Sequence, residues 1–232
     1  MNCRRYFYLW KKIEFAIVLL LLAVLIMMSN HLEEMVSSGR VTGRNPCIVL
    51  DSGHGGEDPG KIGVNQAKEK DVNLKIAKKT KERLEKKGWK VVMTREKDVM
   101  LGDPAAGNKK IHDMKARVER INKTMPQAAV SIHQNSYPEA EISGPQVFYY
   151  GSSEMSKKLA EAIQAQLIVD LQPPKEREIK TGNDLYILKN SQCPGVIVEC
   201  GFLSNPTECE NLQNPQYQQA VAAAIARAIC KL

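Results

Sequence analysis

CIVLDSGHGGEDPG, residues 47–60, decides how the rest of the chain is read. Its first five residues, Cys47 to Asp51, form a short apolar run with the pattern of a buried strand. The loop that follows carries one histidine, His54, among Gly53, Gly55, Gly56 and Gly60, with the acids Asp51, Glu57 and Asp58 around it. Glycine lets a backbone take φ > 0 and come close to a bound group. Such a loop can cradle a phosphate, make a tight turn or present a metal ligand. The phosphate reading is the weakest, because no Gly-Lys-Ser or Gly-Lys-Thr is present and Glu57 and Asp58 would repel the anion.

Outward from this stretch, helical and strand patterns alternate. DVNLKIAKKTKERLEKKG (71–88) sets Val72, Ile76, Thr80 and Leu84 at helical spacing, with Gly88 as its stop. WKVVMTR (89–95) reads as a strand, IHDMKARVERINK (111–123) as a helix, AAVSIHQNS (128–136) as a strand and QVFYY (146–150) as another. SEMSKKLAEAIQAQLIVDL (153–171) is a helix halted before Pro173 and Pro174. DLYILK (184–189) and GVIVECG (195–201) read as two more strands, and PQYQQAVAAAIARAICKL (215–232) as a closing helix with Pro215 in its first turn. Alternation of this kind predicts a layered α/β domain on a largely parallel or mixed sheet.

The chain has 232 residues and a formal charge of +7. A basic balance suits an anionic partner, yet many of the lysines fall in KIAKKTKERLEKKG (75–88), the wet face of one helix, and no nucleic-acid-binding motif is present. The N-terminus differs from the rest. MNCRRYFYLWKK supplies Arg4, Arg5, Lys11 and Lys12, and FAIVLLLLAVLIMM (15–28) follows without a charge. That run fits a signal-peptide core. With Tyr6 to Trp10 as an aromatic belt it approaches the roughly 20 residues a membrane span needs. Residues 1–30 are read as a signal peptide or signal-anchor. Anchoring is favoured because VSSG (36–39) is a poor cleavage site. Residues 31–45 read as a polar stalk and 46–232 as the exported domain, held at the outer face of the membrane. The six cysteines include no CxxC pair, which argues against a thiolate zinc site. A Cys193–Cys209 or Cys200–Cys209 disulfide stays open.

Ligands of α/β sheets bind in loops past the C-terminal ends of the strands. His54 follows the first strand, His133 lies near the end of AAVSIH, Glu199 ends VIVE, and Glu69 comes just before the first helix. A buried, unpaired carboxylate at the end of VIVE would cost several kcal/mol unless a cation accompanied it. Two histidines and a carboxylate with an open fourth position form a ligand set of catalytic Zn²⁺, and the remaining glutamate can serve as general base. His31 falls in the stalk and His112 on the exposed first turn of a helix, which leaves His54 and His133. A serine-histidine-aspartate reading through Ser52 or Ser131 lacks the GxSxG elbow. Asp51 or Asp58 can orient His54 from its far nitrogen, and Asp71 reads as the N-cap of its helix. Arg95 and Asn135 are weaker candidates for contacting substrate.

Four blocks, LDSGHGGEDPG, KEKDVNLKIA, SIHQNS and VIVECGFLSNP, occur in an order and spacing that resembles the zinc-dependent N-acetylmuramoyl-L-alanine amidases over about residues 47–231, and VVMTREKD (91–98) is similar too. The resemblance implies a three-layer α/β/α sandwich with a twisted mixed sheet. It also implies Zn²⁺ held by His54, Glu69 and His133, with Glu199 as the catalytic acid/base. The implied reaction is hydrolysis of the amide between N-acetylmuramic acid and L-alanine. SGPQVFYY (143–150) and DLYILKN (184–190) are similar to the sporulation and germination subgroup, whose action leads to muramic-δ-lactam in spore cortex. The implied partners are peptidoglycan, the membrane through the N-terminal segment, and room for an activator protein. Nucleic acid is not among them. Two rivals remain: a zinc carboxypeptidase, and a membrane-tethered module that binds peptidoglycan or a partner without turnover. The second would have no use for Glu199.

Overall fold

In the computed structural model, Ile17 and residues 46–231 apart from Pro104 and Ala106 are described. The apolar segment 15–28, and with it the signal-anchor and stalk readings, otherwise lies outside the described residues. Among the described residues no helix is long and apolar enough to cross a membrane.

β1 (Cys47–Ser52) lies inside a six-stranded sheet, between β2 (Lys90–Met93) and β3 (Ala128–Asn135). The order continues through β6 (Gly195–Phe202) and β4 (Gln146–Tyr149) to β5 (Lys180–Thr181). The pairs β1–β2, β1–β3 and β3–β6 are parallel, while β4 runs antiparallel to β6, so the sheet is mixed. Side chains of β1 alternate between the faces, as a strand requires. Ile48 and Leu50 enter the larger core, and Val49 meets Ile121 and Ala129 on the other side.

The larger core lies under α1 (Glu69–Glu85), α3 (Glu154–Leu171) and α6 (Pro215–Ile229). Val72, Ile76, Ala77 and Leu84 of α1 recur at intervals of one turn and are all buried. Each such Ile or Leu contributes about 1.5–3 kcal/mol when fully removed from water. The alanines of α6 let it lie close between α1 and α3. α2 (Lys109–Thr124) and the short α4 (Tyr186–Asn190) cover the opposite face. Caps set the helix starts: Asn108, Ser153 and Asn214 each accept a bond from a backbone N–H in the first turn. The result is the expected α/β/α arrangement.

Two elements depart from the sequence reading. DLYILK is a turn followed by α4, and the edge strand is instead β5. Leu185, Tyr186, Ile187 and Leu188 are contiguous, so neither periodicity is expressed. Helical bonds from Lys189 N to Leu185 O and from Ser191 N to Ile187 O settle the matter, since a sixth strand already occupies the edge. α5 (Pro206–Gln213) was not anticipated, although Asn205 caps it and Pro206 opens it. The five described cysteines are free, with Cys200 and Cys209 buried singly, so neither disulfide forms among them.

Candidate metal centre

The loop after β1 is held in an uncommon conformation. His54 has φ 60°, in the left-handed region that a residue with a Cβ rarely enters. Three features hold it there. Gly55 and Asp58 exchange backbone bonds of 3.0 and 3.1 Å. The His54 carbonyl accepts from Arg117 Nη2 at 2.6 Å. Lys70 Nζ donates to the Gly56 carbonyl at 2.7 Å. Two glycines matter through what they leave out. A Cβ on Gly53 would lie 2.2 Å from His133 Cε1, and one on Gly60 would lie 2.4 Å from Glu69 Oε2. Gly53→Ala is therefore expected to drive the His133 ring from its place and to lower stability by about 1–3 kcal/mol, the usual cost of overpacking, read by denaturant unfolding.

Glu69 is the first residue of α1, and its carboxylate is the meeting point. Oε2 accepts from the Lys61 backbone N–H at 2.7 Å and lies 3.2 Å from His54 Nε2. Oε1 lies 2.9 Å from His133 Nδ1 and accepts from Gln134 N at 3.2 Å and Asn73 Nδ2 at 3.3 Å. One ligand atom from each of His54, Glu69 and His133 falls within 4.8 Å of the others. The rings stand edge to face, 5.1 Å apart. On its far side His54 Nδ1 meets Asp58 Oδ2 at 2.7 Å, which places a proton on Nδ1 and aims Nε2 at the cluster. Of the two acids expected to orient His54, Asp58 does so and Asp51 does not. Asp71 caps nothing: the N-cap position is Lys68, and Asp71 sits in the first turn, where its charge complements the helix dipole.

Burial opposes protonation of His133, but its hydrogen bond to Glu69 and the charges of Glu69, Glu199 and Asp51 outweigh this and raise it to about 9. His54 is raised in the same way: burial lowers it, and bonding to Glu69 more than compensates. Glu69 is held far below the usual carboxylate range, burial being overcome by the two imidazoles. A buried anion that demands positive charge from two directions is a place where a cation fits.

Beneath the cluster is a charged foundation. Asp51 is buried, yet the Arg117 guanidinium at 2.8 Å and the hydroxyls of Ser131 and Thr94 overcome that burial and bring it down to about 2. Arg117 also binds Asp113 at 2.6 Å and the Ser52 carbonyl at 2.7 Å. Arg95 donates to the carbonyls of Ser52, Gly53 and Lys70 at 2.9, 3.1 and 2.8 Å. With those bonds made Arg95 faces the loop's backbone, and it is a support of the site. Ser131 is committed to Asp51, which removes it as a nucleophile. Asn135 ends β3, its side chain accepting from Ser136 N. His112 is exposed on α2.

Glu199 stands directly across from His133 in the β3–β6 register. Its Oε2 is one of three buried side-chain oxygens or nitrogens without a partner among the described residues. Burial raises this carboxyl to about 7, against the pull of the His133 charge. A cavity of about 270 Å³ opens beside the cluster between α2 and α4. His54, His133 and Lys110 line it, and Met114, Leu185 and Ile187 give it an apolar wall. The sequence reading passed over the Leu185 and Ile187 part of that wall because it took 184–189 for a strand. It also passed over Gly60, whose role follows from the position of Glu69.

The N-acetylmuramoyl-L-alanine amidase family matches residues 48–231. A germination-specific N-acetylmuramoyl-L-alanine amidase of Bacillus subtilis is 38% identical over 187 residues, covering 79% of this chain and 78% of that protein. The LytC amidase of the same organism is 32% identical, covering 77% of this chain and 34% of that longer protein. Among solved structures, the CwlD amidase of Clostridioides difficile, in complex with the GerS lipoprotein, superposes with a TM-score of 0.78 at 38% identity over 81% of this chain and 98% of that one.

Proposed function

The chain belongs to the N-acetylmuramoyl-L-alanine amidase family, and from that premise we propose that it is a zinc-dependent hydrolase of the bond between N-acetylmuramic acid and L-alanine in peptidoglycan. The carrying observation is a three-residue donor set within 4.8 Å beside a buried glutamate oxygen that has no partner among the described residues. Two imidazole nitrogens and a carboxylate oxygen suit Zn²⁺, and the Asp58 bond to His54 is the outer support such ligands use. His54, Glu69 and His133 would hold the ion, which when bound supplies polarisation of the scissile carbonyl and acidification of water.

Glu199 takes the proton of the attacking water and passes it to the departing amine of L-alanine. A carboxyl raised toward neutrality by burial suits both halves of that task. The α2 and α4 walls steer the glycopeptide toward His54 and His133, and their apolar side chains exclude water from one flank. Of the two alternative nucleophiles, Ser131 donates its hydroxyl to Asp51, and the Ser52 hydroxyl is buried with no partner among the described residues.

The setting we propose is the spore envelope. The germination-specific relative supports it, as do the sequence blocks shared with that subgroup. There, removal of stem peptides would precede muramic-δ-lactam formation in the cortex. Residues 1–30 would export the chain and, uncleaved, anchor it outside the cytoplasmic membrane, with 31–45 as stalk and 46–232 as the catalytic domain. The lipoprotein bound to the Clostridioides difficile relative supports an activator protein as a partner here.

Mass analysis of purified peptidoglycan after incubation with the protein tests this reading. Free stem peptides beginning with L-alanine, beside intact glycan strands, are expected. Shortened peptides still joined to muramic acid would mean a carboxypeptidase, and an unchanged polymer that retains the protein would mean a binding module.

A further inference from the structure

Asn73 lies one turn after Glu69 on α1 and is fully buried. It shares its face with Val72, Ile76 and Ala77, where an apolar residue would suit both the core and the helix. A buried amide at such a place is costly unless its groups are paired, and here they are paired in a specific way. Nδ2 donates to Glu69 Oε1 at 3.3 Å and to the Gly53 carbonyl at 3.1 Å, while Oδ1 accepts from Gln134 Nε2 at 3.1 Å. Gly53 immediately precedes His54, and Gln134 immediately follows His133. One amide therefore reaches each of the three segments that present a ligand atom, and it binds one of those ligands directly. Nothing else in this buried group accounts for an asparagine.

We propose that Asn73 is the positioning residue of the metal centre, fixing the Glu69 carboxylate against the His54 loop and β3 so that the three ligand atoms converge. This inference rests on the metal reading above. Outer partners of metal ligands typically govern affinity by about 10–100-fold, and Asn73→Ala is expected to weaken zinc by that factor. The measurement is competition of the full chain with a chelator of known affinity, together with the rise in Tm that zinc produces, which should shrink. Activity lost at low zinc should return as zinc is raised, in a variant whose metal-free far-UV circular dichroism matches that of the wild type, a combination that a general folding defect does not show. Asn73→Leu keeps the branched shape and removes the amide, and the same loss of affinity is expected of it. A loss in the alanine variant that leucine restores would assign the effect to packing and overturn the proposal. Unchanged affinity in both variants, with zinc bound by the wild type, would overturn it alone. A wild type that takes up no zinc would overturn the metal reading and the role of Asn73 together.

Discussion

Glu199→Gln is expected to keep its zinc and to lose turnover by about 10²–10⁴-fold, the range that a positioned general acid/base contributes. The substitution preserves size and leaves the β3–β6 register with His133 intact. It removes the only feature the reaction needs from this residue, an oxygen that can accept a proton and then release it. Glu199 is not one of the three residues whose ligand atoms cluster, so metal content should not follow activity. Zinc per chain by mass spectrometry and stem-peptide release from the same preparation give the two halves of the result. A variant that cleaves at near the wild-type rate would strip Glu199 of its role, and one that loses zinc as well would recast it as a ligand.

His54→Ala and His133→Ala should behave in the opposite way, losing zinc and activity together and to background level. Each removes one of three ligand atoms, and a site with two remaining ligands holds Zn²⁺ far more weakly. The two variants differ in what else they disturb. His54→Ala frees Asp58 from its 2.7 Å bond and leaves the left-handed backbone position unrelieved, since alanine keeps the Cβ and tolerates φ 60° no better than histidine. His133→Ala empties the space over Gly53. Both should therefore unfold at temperatures modestly below the wild type measured without zinc. Either variant carrying one zinc per chain would refute the ligand assignment.

The parts of this molecule that the sequence exposes are those where one residue type has one physical reason. β1 was legible because an apolar run ending in Asp51, Ser52 and a glycine loop has little else to become. α1 was legible because Val72, Ile76 and Leu84 keep its period. The sheet order was not: that β4 runs antiparallel beside β6 depends on pairings between segments some 50 residues apart. Leu185 to Leu188 misled because four apolar residues in succession suit either period, and only the occupied sheet edge decides. Glu69, His54, His133 and Glu199 stood out as polar residues at element ends, and the structure brings them to one place. Of their supports, Asp58 stood out as a partner of His54, and Arg95 stood out only as a substrate contact, whereas it binds the loop's carbonyls. Asn73 looks like any helical asparagine and Gly60 like any loop glycine. Each acquires meaning only when the carbonyl, carboxylate or ring it serves is folded against it.

On the proposed reading, the cluster of His54, Glu69 and His133 holds one zinc ion on which cleavage of peptidoglycan depends. The most direct test strips the full chain of metal with a chelator, returns zinc in measured steps, and follows stem-peptide release at each step. No release is expected at the start, followed by a rise in proportion to bound zinc and a plateau at one equivalent. Release that persists in the stripped protein, or that rises without regard to bound zinc, would contradict that reading.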